Sequence, residues 1–252
     1  MKKTLLIVLM IVTMCLLSSC VIPGSGPTVT TPQAPGGTTA PPTAALPTLA
    51  ALDAVLDAAS PARIRLSYTS EHEAMGELRT DCYMLLGAQE SSYYYYTTTR
   101  FLPLDEALAA GKATKTETGY LLTSGNAVTA SSDEIDGDLL AELRDYSIRR
   151  PSLREELFAE YSITKSGDAI LLTVIAKPNT AGVIFDELLD GADGLTFTVT
   201  FTDEGGTLRP TSLAVSMTAD GTPASYLATY AYTPAPLPTS DTAPSPDLSL
   251  WE

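Results

Sequence analysis

The clearest pattern in the chain is an alternation. In Gly194-Leu195-Thr196-Phe197-Thr198-Val199-Thr200-Phe201-Thr202 every second residue is large and apolar, and the residues between are threonines. Successive side chains of a strand point to opposite faces, so Leu195, Phe197, Val199 and Phe201 share one face and the threonines the other. Asp203-Glu204-Gly205-Gly206 then turns into Leu208–Thr218, where Leu213, Val215 and Met217 alternate, and Asp220-Gly221 turns into Tyr226–Tyr232. This is a meander of antiparallel strands with one buried and one wet face.

Upstream, Arg63–His72 alternates through Ile64, Leu66 and Tyr68, and Gly76–Ala88 and Ser91–Leu102 follow as strands after short polar turns. Gly119–Thr123 and Ala127–Ala130 form a hairpin around Gly125-Asn126, and Tyr161–Lys165 and Ala169–Ala176 another across Ser166-Gly167-Asp168. The period changes in five places. Leu49, Leu52, Val55 and Leu56 make a helical stripe along Pro47–Ala59, with Asp53 and Asp57 opposite. Pro103–Lys112, Asp138–Tyr146 and Asn179–Leu189 read as further helices, and Pro151–Tyr161 places Leu153, Leu157 and Tyr161 on one stripe behind a first-turn proline. The order is helix, three strands, a helical insert with a hairpin, two strands, a helix, three strands. An α+β domain over 48–233 follows.

Both ends leave this patterning. Val21 to Pro47 is Pro-, Thr-, Gly-, Ala- and Ser-rich with no charge and no apolar face. It cannot bury enough surface to offset its chain entropy, so residues 20–47 read as an extended tether. Residues 234–252 form a Pro-rich tail that carries Trp251, the single tryptophan. Docking onto the domain and a frayed end are both compatible with that composition. At the start, Lys2 and Lys3 precede an apolar run of 13 residues, Leu5 to Leu17, which is short for a bilayer span and suited to a secretory signal. The run closes with Leu17-Ser18-Ser19-Cys20, which resembles the bacterial lipobox. The resemblance implies that residues 1–19 are a signal cut after Ser19, and that the Cys20 thiol carries a diacylglyceryl group. Acyl chains contribute about 0.8 kcal/mol per buried CH₂, and two on one residue suffice for stable anchoring at the extracytoplasmic face of the cell membrane.

Composition narrows the partners. The net charge is −15, and the 15 basic residues fall to 13 without Lys2 and Lys3 against an unchanged 30 acids, net −17. Such a surface repels nucleic-acid backbones and anionic membrane surfaces. A single histidine, His72, removes most histidine-based catalysis and most zinc sites. Of three cysteines, Cys15 leaves with the signal and Cys20 would be acylated, so Cys82 has no partner for an internal disulfide. In a strand-like run it reads as a small buried hydrophobe.

The candidate catalytic motifs do not survive their geometry. In a strand, Glu71 and Glu73 project away from His72, so the three cannot meet on one metal. Ser162-Ile163-Thr164-Lys165 matches the S-x-x-K nucleophile pattern, but it lies in a strand, and neither S-D-N nor K-T-G occurs. Asp133-Glu134-Ile135-Asp136-Gly137-Asp138 looks calcium-like, but an EF-hand count from Gly137 places Leu143 at the required glutamate position. Those acids read better as the start of a helix. No cofactor and no metal are expected.

Tyr93-Tyr94-Tyr95-Tyr96 is the least ordinary feature. Tyr93 and Tyr95 face one way and Tyr94 and Tyr96 the other. Rings with polar tips suit the boundary of an amphiphile, and equally suit cross-strand pairing.

Element order, lipobox and tether together are similar to the LolA/LppX-type lipoprotein carriers. The resemblance spans 48–233 and rests on order and alternation, with no residue motif to carry over. It implies a strongly curved antiparallel sheet, an incomplete barrel with short helices over its concave face, and a lipid or other amphiphile held between them. On that basis the chain reads as a membrane-anchored, non-enzymatic lipoprotein with Tyr93, Tyr95, Leu195, Phe197, Val199 and Phe201 as cavity candidates. The alternative is an envelope protein–protein interaction module with a filled core. An exported hydrolase is the weakest reading.

Overall fold

The computed structural model describes residues 46–72, 76–89, 91–101, 115–125, 127–132, 150–185, 189, 191–219 and 221–251. The lipobox, the tether as far as residue 45, and the helices read over 103–112 and 138–146 lie outside the described residues, as does the acidic run 133–138.

Helix α1, Leu49–Ala58, starts where Thr48 caps it, the hydroxyl accepting the Ala51 N–H at 3.2 Å. Five strands follow: β1 (Arg63–His72), β2 (Gly76–Leu86), β3 (Ser92–Phe101), β4 (Lys115–Ser124) and β5 (Ala127–Ser131). After a short 3-10 turn at Glu155–Leu157 come β6 (Phe158–Ser166), β7 (Ala169–Ala176), a single helical turn α2 (Ala181–Ile184), β8 (Asp193–Glu204), β9 (Thr207–Ala219) and β10 (Thr222–Ala231). Gly205 and Gly206, with φ of 65° and 88°, supply the left-handed backbone of the two-residue β8–β9 hairpin.

The ten strands of the described residues belong to one antiparallel sheet, ordered β5-β4-β3-β2-β1-β10-β9-β8-β7-β6. Every consecutive pair within β1–β5 and within β6–β10 is a neighbour. The two meanders join where β1 meets β10, from Arg63 opposite Ala231 to Ser70 opposite Ala224. The sheet is curved and not closed, with β5 and β6 as its edges among the described residues: an α+β half-barrel, the architecture that the resemblance to lipoprotein carriers implied.

Two readings are corrected. The stripe over Pro151–Tyr161 is not a helix: Glu155–Leu157 make one 3-10 turn and the chain is extended from Phe158 onward. Pairing with β7 decides this, since it sends Phe158 into the core and leaves Tyr161 36% exposed. The helix read over Asn179–Leu189 starts later, and among its described residues is helical over Ala181–Ile184, with Phe185 in a turn.

The inner face carries the core. Leu52, Leu172, Val174, Val199 and Phe201 are fully buried in one cluster that also takes Leu49 and Leu56 of α1 and Ile184 and Phe185. Each such side chain contributes about 1.5–3 kcal/mol by leaving water. Phe185 and Phe158 meet Phe197 edge-on at 5.7 and 6.1 Å. Gly119 lies opposite Tyr96, where a Cβ would come within 2.2 Å of the tyrosine ring, so the ring lies over the bare backbone.

The outer face differs between the two halves. Over β7–β9 it is a threonine surface, with Thr173 and Thr198 hydroxyls 3.2 Å apart and Thr202 and Thr211 the same. Over β2–β4 it is apolar at the Leu85 end, where the C-terminal tail covers it, and charged further along β2 at Asp81, Arg79 and Glu77. Leu85, Tyr93 and Leu122 form a second buried cluster with Ala243, against which Leu237, Leu250 and Trp251 pack.

Candidate functional site

The seam between α1 and the inner face of β8–β10 holds a pocket of about 30 Å³. Leu56, Pro61, Val199, Leu213, Tyr230 and Tyr232 supply most of its apolar wall, and Arg150 is the charged member of the lining. The volume suits about one water molecule and is far below the roughly 300–1,000 Å³ of ordinary ligand pockets.

The segment after residue 150 clamps α1 over this seam. The Arg150 guanidinium donates to the Leu56 carbonyl and lies 3.4 Å from the Asp57 carboxylate. A cation at a helix C-terminus also complements the helix dipole. Asp53 accepts the Leu153 N–H at 3.3 Å, and Ser152 N–H donates to the Ile184 carbonyl at 2.8 Å. Below, the Tyr232 hydroxyl donates to the Pro210 carbonyl at 2.8 Å, with the Arg209 guanidinium 4.8 Å from its ring centre. Burial pushes Tyr232 up to about 12, partly opposed by Arg209 and reinforced by Glu204. Burial also raises Tyr230 and Tyr226. These are neutral phenols at physiological pH, poised to hydrogen-bond and not to act as bases.

Of the cavity candidates from the sequence, Leu195, Phe197, Val199 and Phe201 lie on the inner face, each no more than 2% exposed, and Val199 borders the seam pocket. Tyr93 and Tyr95 stand on the outer face. The Tyr93 hydroxyl donates to the Ala243 carbonyl of the tail at 2.5 Å, and the Tyr95 ring packs beside Tyr83 at 6.2 Å. The six therefore line no common space: odd-numbered β3 tyrosines oppose the tail, and even-numbered ones oppose the interior. Arg150, Tyr230 and Tyr232 were not singled out as a group by the sequence, because only the β1–β10 seam and the fold of α1 bring them together.

Cys82 is half-buried against the inner core, and burial with the neighbouring Asp81 carboxylate pushes its thiol up to about 12. It is a thiol at neutral pH and no nucleophile. Ser162 and Lys165 lie in strand β6. The inner face has one polar irregularity. Tyr94 is 3% exposed, and its hydroxyl finds no hydrogen-bond partner among the described residues. An unsatisfied buried hydroxyl costs about 1–3 kcal/mol. Tyr94→Phe is therefore expected to stabilise the protein by about 1 kcal/mol or more, and a calorimetric melt would show the midpoint rising. A fall would place a hydrogen bond on that hydroxyl.

The fold and seam define an open antiparallel half-barrel with a helix laid over its inner face. No protein-family model matches the chain, and no curated protein matches it. Among solved structures it is similar to LprF from Mycobacterium bovis, with a TM-score of 0.39 and 10% identity over 78% of this chain and 99% of that one.

Proposed function

We propose that this chain is a lipoprotein anchored through diacylglyceryl-Cys20 at the extracytoplasmic face of the cell membrane, where its half-barrel takes up a lipid-like amphiphile without catalysing a reaction. The observation that carries the ligand reading is the seam pocket: an apolar wall, two neutral phenols and one guanidinium, the composition that suits an acyl chain ending in an acidic or hydrogen-bonding head. Arg150 is held by the Leu56 carbonyl and Asp57. An anionic head group would compete for those contacts and loosen α1. At about 30 Å³ the seam admits an acyl chain only if α1 moves outward. The sequence Leu17-Ser18-Ser19-Cys20 supports the anchor, and the uncharged 20–47 segment supports a tether.

Native mass spectrometry on residues 46–252, before and after incubation with mixed phospholipid vesicles and again after organic extraction, tests the ligand. A stoichiometric lipid adduct is expected, lost or reduced at least tenfold in Ala59→Trp, which plugs the seam. A clean apo mass after incubation would remove the amphiphile reading. That result would favour the second one, an envelope interaction module, which the fully buried Leu172, Val174 and Phe201 of the inner face already support.

A further inference from the structure

The C-terminal tail is seated like a peptide in a receptor. In Thr233-Pro234-Ala235-Pro236-Leu237-Pro238 each residue is either a proline, with φ fixed near −65°, or the residue before one, pushed out of the helical region. The stretch has no helix or strand of its own and lies against the outer face, where Ala235 and Leu237 join the Leu85, Tyr93 and Leu122 cluster. Leu237 is received at Gly87, where an added Cβ would meet its Cδ1 at 3.1 Å. Thr239 to Ala243 then closes a turn, Ala243 N–H donating to the Thr239 carbonyl at 2.9 Å. The turn presents Ala243 and its carbonyl, both buried, to the Tyr93 hydroxyl. Asp247 caps the last turn through the Ser249 N–H and hydroxyl. That turn delivers Trp251, whose indole N–H donates to the Met84 carbonyl at 3.2 Å and whose ring meets Tyr83 edge-on at 5.3 Å. Arg63 donates to the Leu250 carbonyl.

We propose that the outer face of β2–β4 is a docking surface for extended proline-rich peptides, occupied in this molecule by its own residues 234–251. Three features carry the inference. Aromatic rings line the surface, as in grooves that read polyproline segments. Two domain donors reach backbone carbonyls in the tail's turns (Tyr93 to Ala243, Arg63 to Leu250), and the Trp251 indole N–H donates to the Met84 carbonyl, so the seat holds a proline-rich stretch followed by turns and a terminal tryptophan. The prolines pre-order the ligand and lower the entropy lost on docking. The surface is also confined to this half of the sheet, since the threonine face over β7–β9 offers no such rings. A linked tail holds its seat through an effective concentration in the millimolar range, so the partner is admitted when the tail yields. The site is separate from the seam and stands whether or not a lipid enters there.

The test uses the chain from Val21 onward with a specific protease site in place of Thr233, cleaved after folding. Trp251, the single tryptophan, reports whether the tail is seated. After cleavage the tail fragment should stay bound at high protein concentration, leave on dilution with a red-shifted emission, and exchange with a synthetic peptide of residues 233–252. Tyr93→Phe should weaken retention roughly tenfold, the equivalent of one good hydrogen bond. The peptide with Pro234, Pro236 and Pro238 changed to alanine should compete less well. Equal competition by that peptide would overturn the proline-rich assignment. A fragment that never exchanges, one that leaves and does not rebind at millimolar peptide, or a domain that unfolds when the tail leaves would each overturn the docking surface and make the tail a fixed part of the fold.

Discussion

Phe197→Asp leaves no folded protein. The ring is 2% exposed, opposite Val174 on β7 and Val215 on β9, and it meets Phe158 and Phe185 edge-on. Truncating such a side chain alone costs about 3–5 kcal/mol. A carboxylate left in its place would be buried among the Val174, Val215, Phe158 and Phe185 side chains, and burying a charge there adds several kcal/mol more. The total reaches the roughly 5–15 kcal/mol that holds a whole domain together. Circular dichroism and solubility on expression check it, with Phe197→Leu as the volume-tolerant control, expected to cost no more than about 1.5 kcal/mol. A cooperative melt near the wild-type midpoint for Phe197→Asp would mean that the inner face is wet.

Alkali unfolds the protein between about pH 10 and 12. Burial raises Tyr93, Tyr226 and Tyr230 above the ordinary phenol value of 10.0, and it carries Tyr232 and Cys82 up to about 12. A raised value in the folded state means that stability is fully present below the unfolded value and is lost as pH rises toward the folded one. Below about pH 8 all five groups keep their protons in both states, and the unfolded chain gives up that of Cys82 first, near its ordinary value of 9.0. Through pH 10 the unfolded chain releases them while the folded one does not. Each retained proton then removes about 1.4 kcal/mol of stability per pH unit. Several acting together exhaust a domain's stability within about two units. Tyrosinate absorbance and far-ultraviolet circular dichroism should change together in a steep transition. Tyr226→Phe with Tyr230→Phe should make it shallower. A gradual, noncooperative tyrosinate titration near pH 10 with the fold intact would contradict the burial of these phenols.

Strands were legible wherever one face is buried and the other wet, because the period of two is then written in the residues themselves. Leu195 to Thr202 and Ile64 to Tyr68 are the clearest cases, and the turns Gly205-Gly206 and Gly167 marked their ends. The stretch behind Pro151 misled because Leu153, Leu157 and Tyr161 are spaced by four, whereas the pairing of Phe158 to Ser166 with β7 decides the conformation. Local spacing lost to a long-range partner. The four-tyrosine run was legible in parity and not in direction. Two rings go to each face, but whether Tyr93 or Tyr94 points inward is set by the register of β3 between β2 and β4. The seam pocket was illegible for a related reason. Leu56, Arg150, Val199 and Tyr230 are far apart in the chain and meet only after β1 has found β10. Trp251 stood out by composition, but its seat on Met84 and Tyr83 required the folded outer face.

The pairing of β1 with β10 also sets the order of events during folding. Every other strand contact joins strands that follow one another in sequence, across short turns or, for β3–β4 and β7–β8, longer connections, while β5 and β6 part to opposite edges. Each meander can zip up from its own hairpins on the microsecond scale of such elements. The seam from Arg63–Ala231 to Ser70–Ala224 closes a loop of most of the domain, and that loop-closure entropy precedes any reward from the contacts it makes. Seam closure is thus the slow, cooperative step. It turns two five-stranded sheets, each with a bare central edge open to the wrong partner, into one sheet bounded, among the described residues, by β5 and β6.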